Sequence, residues 1–139
     1  MTFRGFRVFA AAAVALALGL SLAAQQPPAI KRNVVSKSDL AGCTDREAVM
    51  VWVDLPVGAA EGKHLHNAEA FVFVTEGTVT LENEGVAKVT LKAGDYFTYK
   101  PGKWHEAVNI GTTPAKFAVV FVAEKGKPLS VPAPAKESY

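Results

Sequence analysis

The sequence predicts an all-β protein, a sandwich or barrel built as one domain. Three observations carry this. Short runs rich in Val, Phe, Tyr and Thr recur along the chain, as residues suited to a pleated, half-buried surface do. Gly, Pro, Asn and Asp turn signals separate the runs at roughly the 8–12-residue spacing of such folds. No segment after residue 25 holds a helical period with caps.

The elements follow in chain order. Arg4 and Arg7 precede an apolar run, Val8–Leu22, which ends in the small residues Ala23 and Ala24. A charged start, an apolar middle and a small-residue end form an export signal. The run is short of the ~20 residues that span a bilayer. Residues 1–23 are therefore expected to be a signal peptide cleaved near Ala23 or Ala24. That leaves no stable membrane insertion and places the mature protein in the periplasm or outside the cell. Residues 24–45 read as an N-terminal arm, loose and polar over Gln25–Asn33, where two prolines stand.

The barrel is expected over residues 46–124. Its strand-like runs are Ala48–Leu55, Phe71–Thr75, Thr78–Glu82, Val86–Leu91, Tyr96–Tyr99, His105–Asn109 and Lys116–Ala123. Glu76-Gly77 and Glu84-Gly85 each sit between two runs, as hairpin turns do. Residues 125–139 form a Pro-rich tail, read as an irregular strap with a short edge strand at Leu129–Val131.

Composition narrows the function classes. The 139 residues include 15 Lys+Arg and 13 Asp+Glu. Two of the basic residues, Arg4 and Arg7, lie in the leader, so the rest of the chain is balanced. A neutral domain without a basic run gives no electrostatic case for nucleic acid. The one cysteine, Cys43, cannot form an internal disulfide or a Cys-rich zinc module. A free thiol of this kind is expected to be a small buried residue.

The chemistry lies in the histidines. His64 and His66 are two apart, so on a strand they share a face. His105 follows a Pro101-Gly102 turn and opens the next strand-like stretch. If that strand pairs near the first, all three imidazoles converge. Neutral imidazole ligates Zn, Cu, Fe, Ni and Mn.

With these residues in view, the sequence resembles the cupin superfamily, and within it the small exported single-domain members. That superfamily's first motif reads Gly, five residues, His-x-His, then Glu and a closing Gly. Here it runs from Gly58 through His64-Leu65-His66 to Gly77. The second motif opens at Gly94-Asp95 and runs through Lys100-Pro101-Gly102-Lys103-Trp104-His105 to Asn109. The resemblance covers residues 47–123 and implies a cupin jelly-roll barrel with a mononuclear metal site. There are two departures. Lys100 stands where the second motif's first Pro usually is. Ala70 stands where the first motif has its Glu.

The resemblance thus implies His64, His66 and His105 as ligands of a divalent ion, Fe2+ first, with Zn2+, Mn2+, Ni2+ and Cu2+ as alternatives. Glu69 is a candidate fourth ligand only if a bulge turns it inward, since regular pleating sends it out. Tyr96, Tyr99 and Trp104 are expected either to wall the pocket or to fill the β-core. Asn109 shares strand parity with His105 and is expected to hold backbone or to support that histidine. Glu61 and Lys63 flank the first ligand, at the mouth or on a solvated loop.

Three neutral ligands leave the ion its full charge and open positions, which favours a small organic anion as substrate. The expected activity is that of a metal-dependent dioxygenase or other oxidoreductase. A non-catalytic ligand-binding cupin and a Zn- or Mn-dependent hydrolase, lyase or isomerase remain as alternatives. A homodimer is what the family resemblance implies.

Overall fold

Alternation of apolar and polar residues decides which way the main core-forming strands face. The computed structural model describes residues 28–134. The expected signal peptide at 1–23 lies outside the described residues. Ten strands follow in order: β1 Lys31–Asp39, β2 Arg46–Leu55, β3 His64–His66, β4 Ala68–Glu76, β5 Thr78–Asn83, β6 Val89–Lys92, β7 Tyr96–Tyr99, β8 His105–Val108, β9 Ala115–Glu124 and β10 Ser130–Pro132. Among the described residues there is no helix, and so none long and apolar enough to cross a membrane.

The strands form two five-stranded antiparallel sheets, ordered β1-β2-β9-β4-β7 and β10-β3-β8-β5-β6. Their inner faces enclose one core, as in a jelly roll. Val49, Val51, Val53 and Leu55 of β2 point inward, and so do Val72 and Val74 of β4 and Phe117, Val119 and Phe121 of β9. From the facing sheet come Val79, Leu81, Leu91 and Ala107. Burial of this apolar surface, roughly 1.5–3 kcal/mol for each large side chain, is the main force closing the barrel.

Gly77 makes the tight turn between β4 and β5. Its φ of 68° lies in the left-handed region. A Cβ there would collide with the Pro114 carbonyl oxygen and stand 2.9 Å from Ala115 Cα. The turn can close against the start of β9 only because the residue is glycine.

The structure departs from the sequence expectations in three places. The arm is not loose beyond Lys31: β1 pairs with β2 from Lys31↔Asp54 to Asp39↔Glu47, with a bulge at Val34/Ser36. The polar alternation of KRNVVSKSD hides a strand because an edge strand can be solvated throughout, and all nine residues are exposed. Its Lys and Arg residues suit an edge that must not pair with another chain. Cys43 is exposed, on the turn between β1 and β2, not buried. The strand expected from Val86 begins at Val89, because Glu84, Gly85 and Val86 are taken up by the hairpin turn.

Candidate metal centre

β3, β8 and β10 build the site. The His-x-His pair lies on β3, and His64 sits directly opposite His105 of β8. On the other edge of β3, His66 faces Ser130 and His64 faces Pro132 of β10. The three imidazoles gather inside the barrel, with one ligand nitrogen from each lying within 4.8 Å of the others. Ring centroids are 4.4 Å apart for His64–His105 and 4.8 Å for the other two pairs.

Hydrogen bonds set the tautomers. In each ring Nδ1 meets a backbone carbonyl: Gly62 at 2.6 Å for His64, Leu129 at 3.0 Å for His66, and Lys103 at 2.9 Å for His105. A carbonyl can only accept, so each Nδ1 carries the proton and donates it. Each Nε2 is left with a bare lone pair. The His105 Nε2 is buried with no hydrogen-bond partner among the described residues. Such orphaned buried atoms are uncommon and call for an explanation. A metal ion held by the three Nε2 atoms supplies one, and carbonyl-oriented imidazoles are what metal sites use.

The electrostatics agree. Burial pushes the His66 and His105 imidazoles down to about 4. Their backbone hydrogen bonds pull the other way, and neighbouring imidazoles add to the lowering. Both rings are therefore neutral at physiological pH, the form that ligates metal.

Aromatic rings brace the site. Tyr99 stacks on His105 with centroids 3.7 Å apart and planes 21° from parallel. Phe121 meets His66 edge-on at 4.8 Å. Ala70 is fully buried and lies between these two on its neighbouring strands, opposite Tyr99 on β7 and Phe121 on β9. The small side chain at the family's Glu position thus leaves room for two rings that pack on the imidazoles. The Tyr99 hydroxyl is buried with no partner among the described residues. Burial, and then the Glu61 charge, raise the phenol above its ordinary value, so it stays a neutral donor.

The other expected site residues divide. Glu69 stands away from the three imidazoles: no bulge turns it inward, and it pairs with Lys100 on the outer face. Lys100, in place of the motif's Pro, thus gains an ion partner. Tyr96 does not wall the pocket. It is 76% exposed, opposite Phe73 on the barrel exterior, because its parity is opposite to that of Tyr99. Trp104 lines a surface depression with Glu82, Glu84 and Glu106, which His105 also borders, and not the cavity in front of His64 and His66. Asn109 is fully buried but supports backbone rather than a ligand. Its Nδ2 donates to the Leu55 and Thr113 carbonyls, both at 2.9 Å, and its Oδ1 accepts from Gly111 N at 3.0 Å.

Two contributors escaped the sequence reading. The tail does more than strap the barrel, since Leu129 orients His66 through its carbonyl. Arg32, in the stretch read as loose arm, reaches the cavity in front of the histidines, where Glu61 meets it at 3.0 Å. No sequence signal marks a backbone carbonyl or a charge on an edge strand as part of a site.

Known proteins are similar to this chain in fold. The cupin-domain family model matches residues 51–121, just over half of the chain. No curated protein matches the chain. Among solved structures, a conserved double-stranded beta-helix protein from Klebsiella pneumoniae has a TM-score of 0.61 at 25% identity, over 76% of this chain and 90% of that one. A recombinant oxalate oxidase in complex with glycolate has a TM-score of 0.56 at 25% identity, over 61% of this chain and 45% of that one. The DMSP lyase DddQ from Ruegeria pomeroyi, 21% identical with a TM-score of 0.60 over 66% of this chain and 45% of that one, shares the fold. This chain spans less than half the length of the latter two. With both histidine-bearing strands inside the matched span, the chain belongs to the cupin-domain family.

Proposed function

We propose that the protein is a mononuclear metal-dependent oxidoreductase, of dioxygenase type, acting on a small organic anion. One observation carries the reading: three imidazoles donate their Nδ1 protons to backbone and turn three bare Nε2 atoms toward one point. His64, His66 and His105 would hold the ion. A divalent ion there supplies Lewis acidity, and iron also supplies electron exchange with O2.

The chain's own residues do the rest. Three neutral ligands add no negative charge, so the loaded site attracts anions. A cavity of about 340 Å³ opens in front of His64 and His66, walled by Val51, Val53 and Phe121. Such walls lower the polarity beside a small substrate and strengthen electrostatic contacts there. Tyr99 offers a neutral hydroxyl donor to a ligand oxygen on the inner side. The similarity to an oxalate oxidase that binds glycolate supports a small organic acid as substrate class. The leader sequence supports action in the periplasm or outside the cell.

The test is anaerobic loading with Fe(II), followed by O2-uptake measurements over a panel of small hydroxy-, keto- and dicarboxylic acids. Uptake that depends on one acid and is lost in His66→Ala is expected. Turnover without O2 uptake in the zinc-loaded protein would replace the oxidoreductase reading with hydrolytic or lyase chemistry.

A further inference from the structure

We propose that Arg32 anchors the carboxylate of the small ligand, with Glu61 holding the guanidinium at the cavity mouth until that carboxylate arrives. The inference rests on the anion-binding site proposed above and names the residue that would select its ligand.

Strand geometry brings both residues there. Arg32 lies opposite Val53 on β2, and opposed residues of an antiparallel pair share a face. Val53 is buried against the core, so Arg32 stands on the inner side of the sheet, at its edge. Glu61 comes from the segment before β3. Its amide bonds the Ala107 carbonyl at 2.9 Å, and the neighbouring Ala60 bridges Val108. Glu61 therefore lies beside inward-facing Ala107, whose small side chain leaves it space.

The pair is not an ordinary surface ion pair. The Glu61 side chain is only 11% exposed, whereas that of Arg32 is 47% exposed. Glu61 lines both the outer cavity and the inner space shared by His66, Tyr99 and His105. Yet it is outside the three-nitrogen cluster, so it does not serve as a fourth ligand in this arrangement.

The charges leave an opening for an anion. Arg32, Lys63 and Glu61 are the charged residues lining the outer cavity, one carboxylate against two cations. Arg32 uses Nη2 for Glu61, while the guanidinium fork has five N–H donors and suits bidentate carboxylate recognition. A ligand carboxylate can share or displace Glu61 on that fork. Arg32 lies on edge strand β1, outside the residues 51–121 that the family model matches, so the selection would rest on a residue beyond the matched span.

The test uses the full chain, metal-free and zinc-loaded, with malonate as probe and malonamide as its uncharged counterpart, followed by amide NMR. Arg32→Gln should weaken malonate binding by about tenfold or more, as expected for loss of a charge-assisted bidentate contact. Malonamide binding should not change. Arg32→Lys should recover only part of the affinity. Glu61→Gln should tighten malonate binding, because it removes the competing carboxylate. A fold defect would weaken both probes and could not give that opposite sign. Equal malonate binding by wild type and Arg32→Gln, or no malonate binding by wild type in either form, would overturn the proposal. Zinc uptake by the same samples reports on the histidine centre separately, so failure of the anchor and failure of the metal site are distinguishable.

Discussion

Single side chains carry much of this molecule's architecture. Asn109 joins the end of β2, the Gly111 amide and the loop before β9 through three hydrogen bonds in a fully buried place. Asn109→Leu strands two carbonyls and an amide at roughly 1–3 kcal/mol each when buried. The expected loss is about 3 kcal/mol or more by urea denaturation; a loss under about 1 kcal/mol would mean water replaces the side chain. Ala70→Glu tests the other unusual position. It puts a carboxylate into a fully buried site between Tyr99 and Phe121. Without metal the variant should melt well below wild type, since an unpaired buried charge costs several kcal/mol. Zinc should recover more melting temperature in the variant than in wild type, because the new carboxylate adds a charged ligand. A zinc gain no larger than that of wild type would show that the carboxylate does not reach the ion.

The two buried imidazoles make the metal-free protein acid-sensitive. Folded His66 and His105 titrate at about 4, and in the unfolded chain the ordinary value is 6.5. Between those limits the unfolded chain binds more protons, so protonation favours unfolding. The stability contributed is fully present above 6.5 and is lost as pH falls from 6.5 toward 4. Urea midpoints measured between about pH 7.5 and about pH 4.5 should fall through that window. Replacing both histidines by Gln should flatten the drop, and an unchanged drop would place its cause elsewhere.

Among the elements, β10 has a weight its three residues do not suggest. It pairs with β3 along His64 and His66, and the preceding Leu129 carbonyl fixes the His66 tautomer. Removing residues 129–139 should weaken zinc binding about 10–100-fold, the usual effect of losing an outer hydrogen-bond partner. Competition with a chromophoric chelator would measure it, and unchanged affinity would make the strap dispensable.

The strands that alternate clearly were legible in the sequence. β2, β4, β5, β7 and β9 lie where Val, Phe and Tyr alternation puts them, within a few residues at their ends. The shared face of His64 and His66 was legible from i, i+2 parity, whereas the approach of His105 was legible only through the family resemblance, since it depends on the β3–β8 pairing. β1 was not, since a strand exposed on both faces leaves no apolar period to read. Tyr96 and Tyr99 show the same limit: both are Tyr in one strand, and only register tells that one meets His105 and the other solvent.

As a whole, the molecule is a cupin barrel whose interior is divided between packing and chemistry. The sheet ordered β1-β2-β9-β4-β7 supplies most of the large apolar side chains. The other sheet supplies all three histidines. A bound ion would therefore tie β3 to β8 across the weakest part of the pairing, where the two strands share only the His64↔His105 register. Metal should accordingly raise global stability as well as fill the site, by mass action on the folded state.

The most direct measurement is elemental analysis of the untagged protein recovered after export, beside a His64→Ala variant prepared in the same way. One equivalent of a divalent transition metal in the wild type, lost in the variant, is the result expected from three converging Nε2 atoms. Wild-type protein that carries no metal and also fails to take up added iron or zinc would contradict the three-histidine centre.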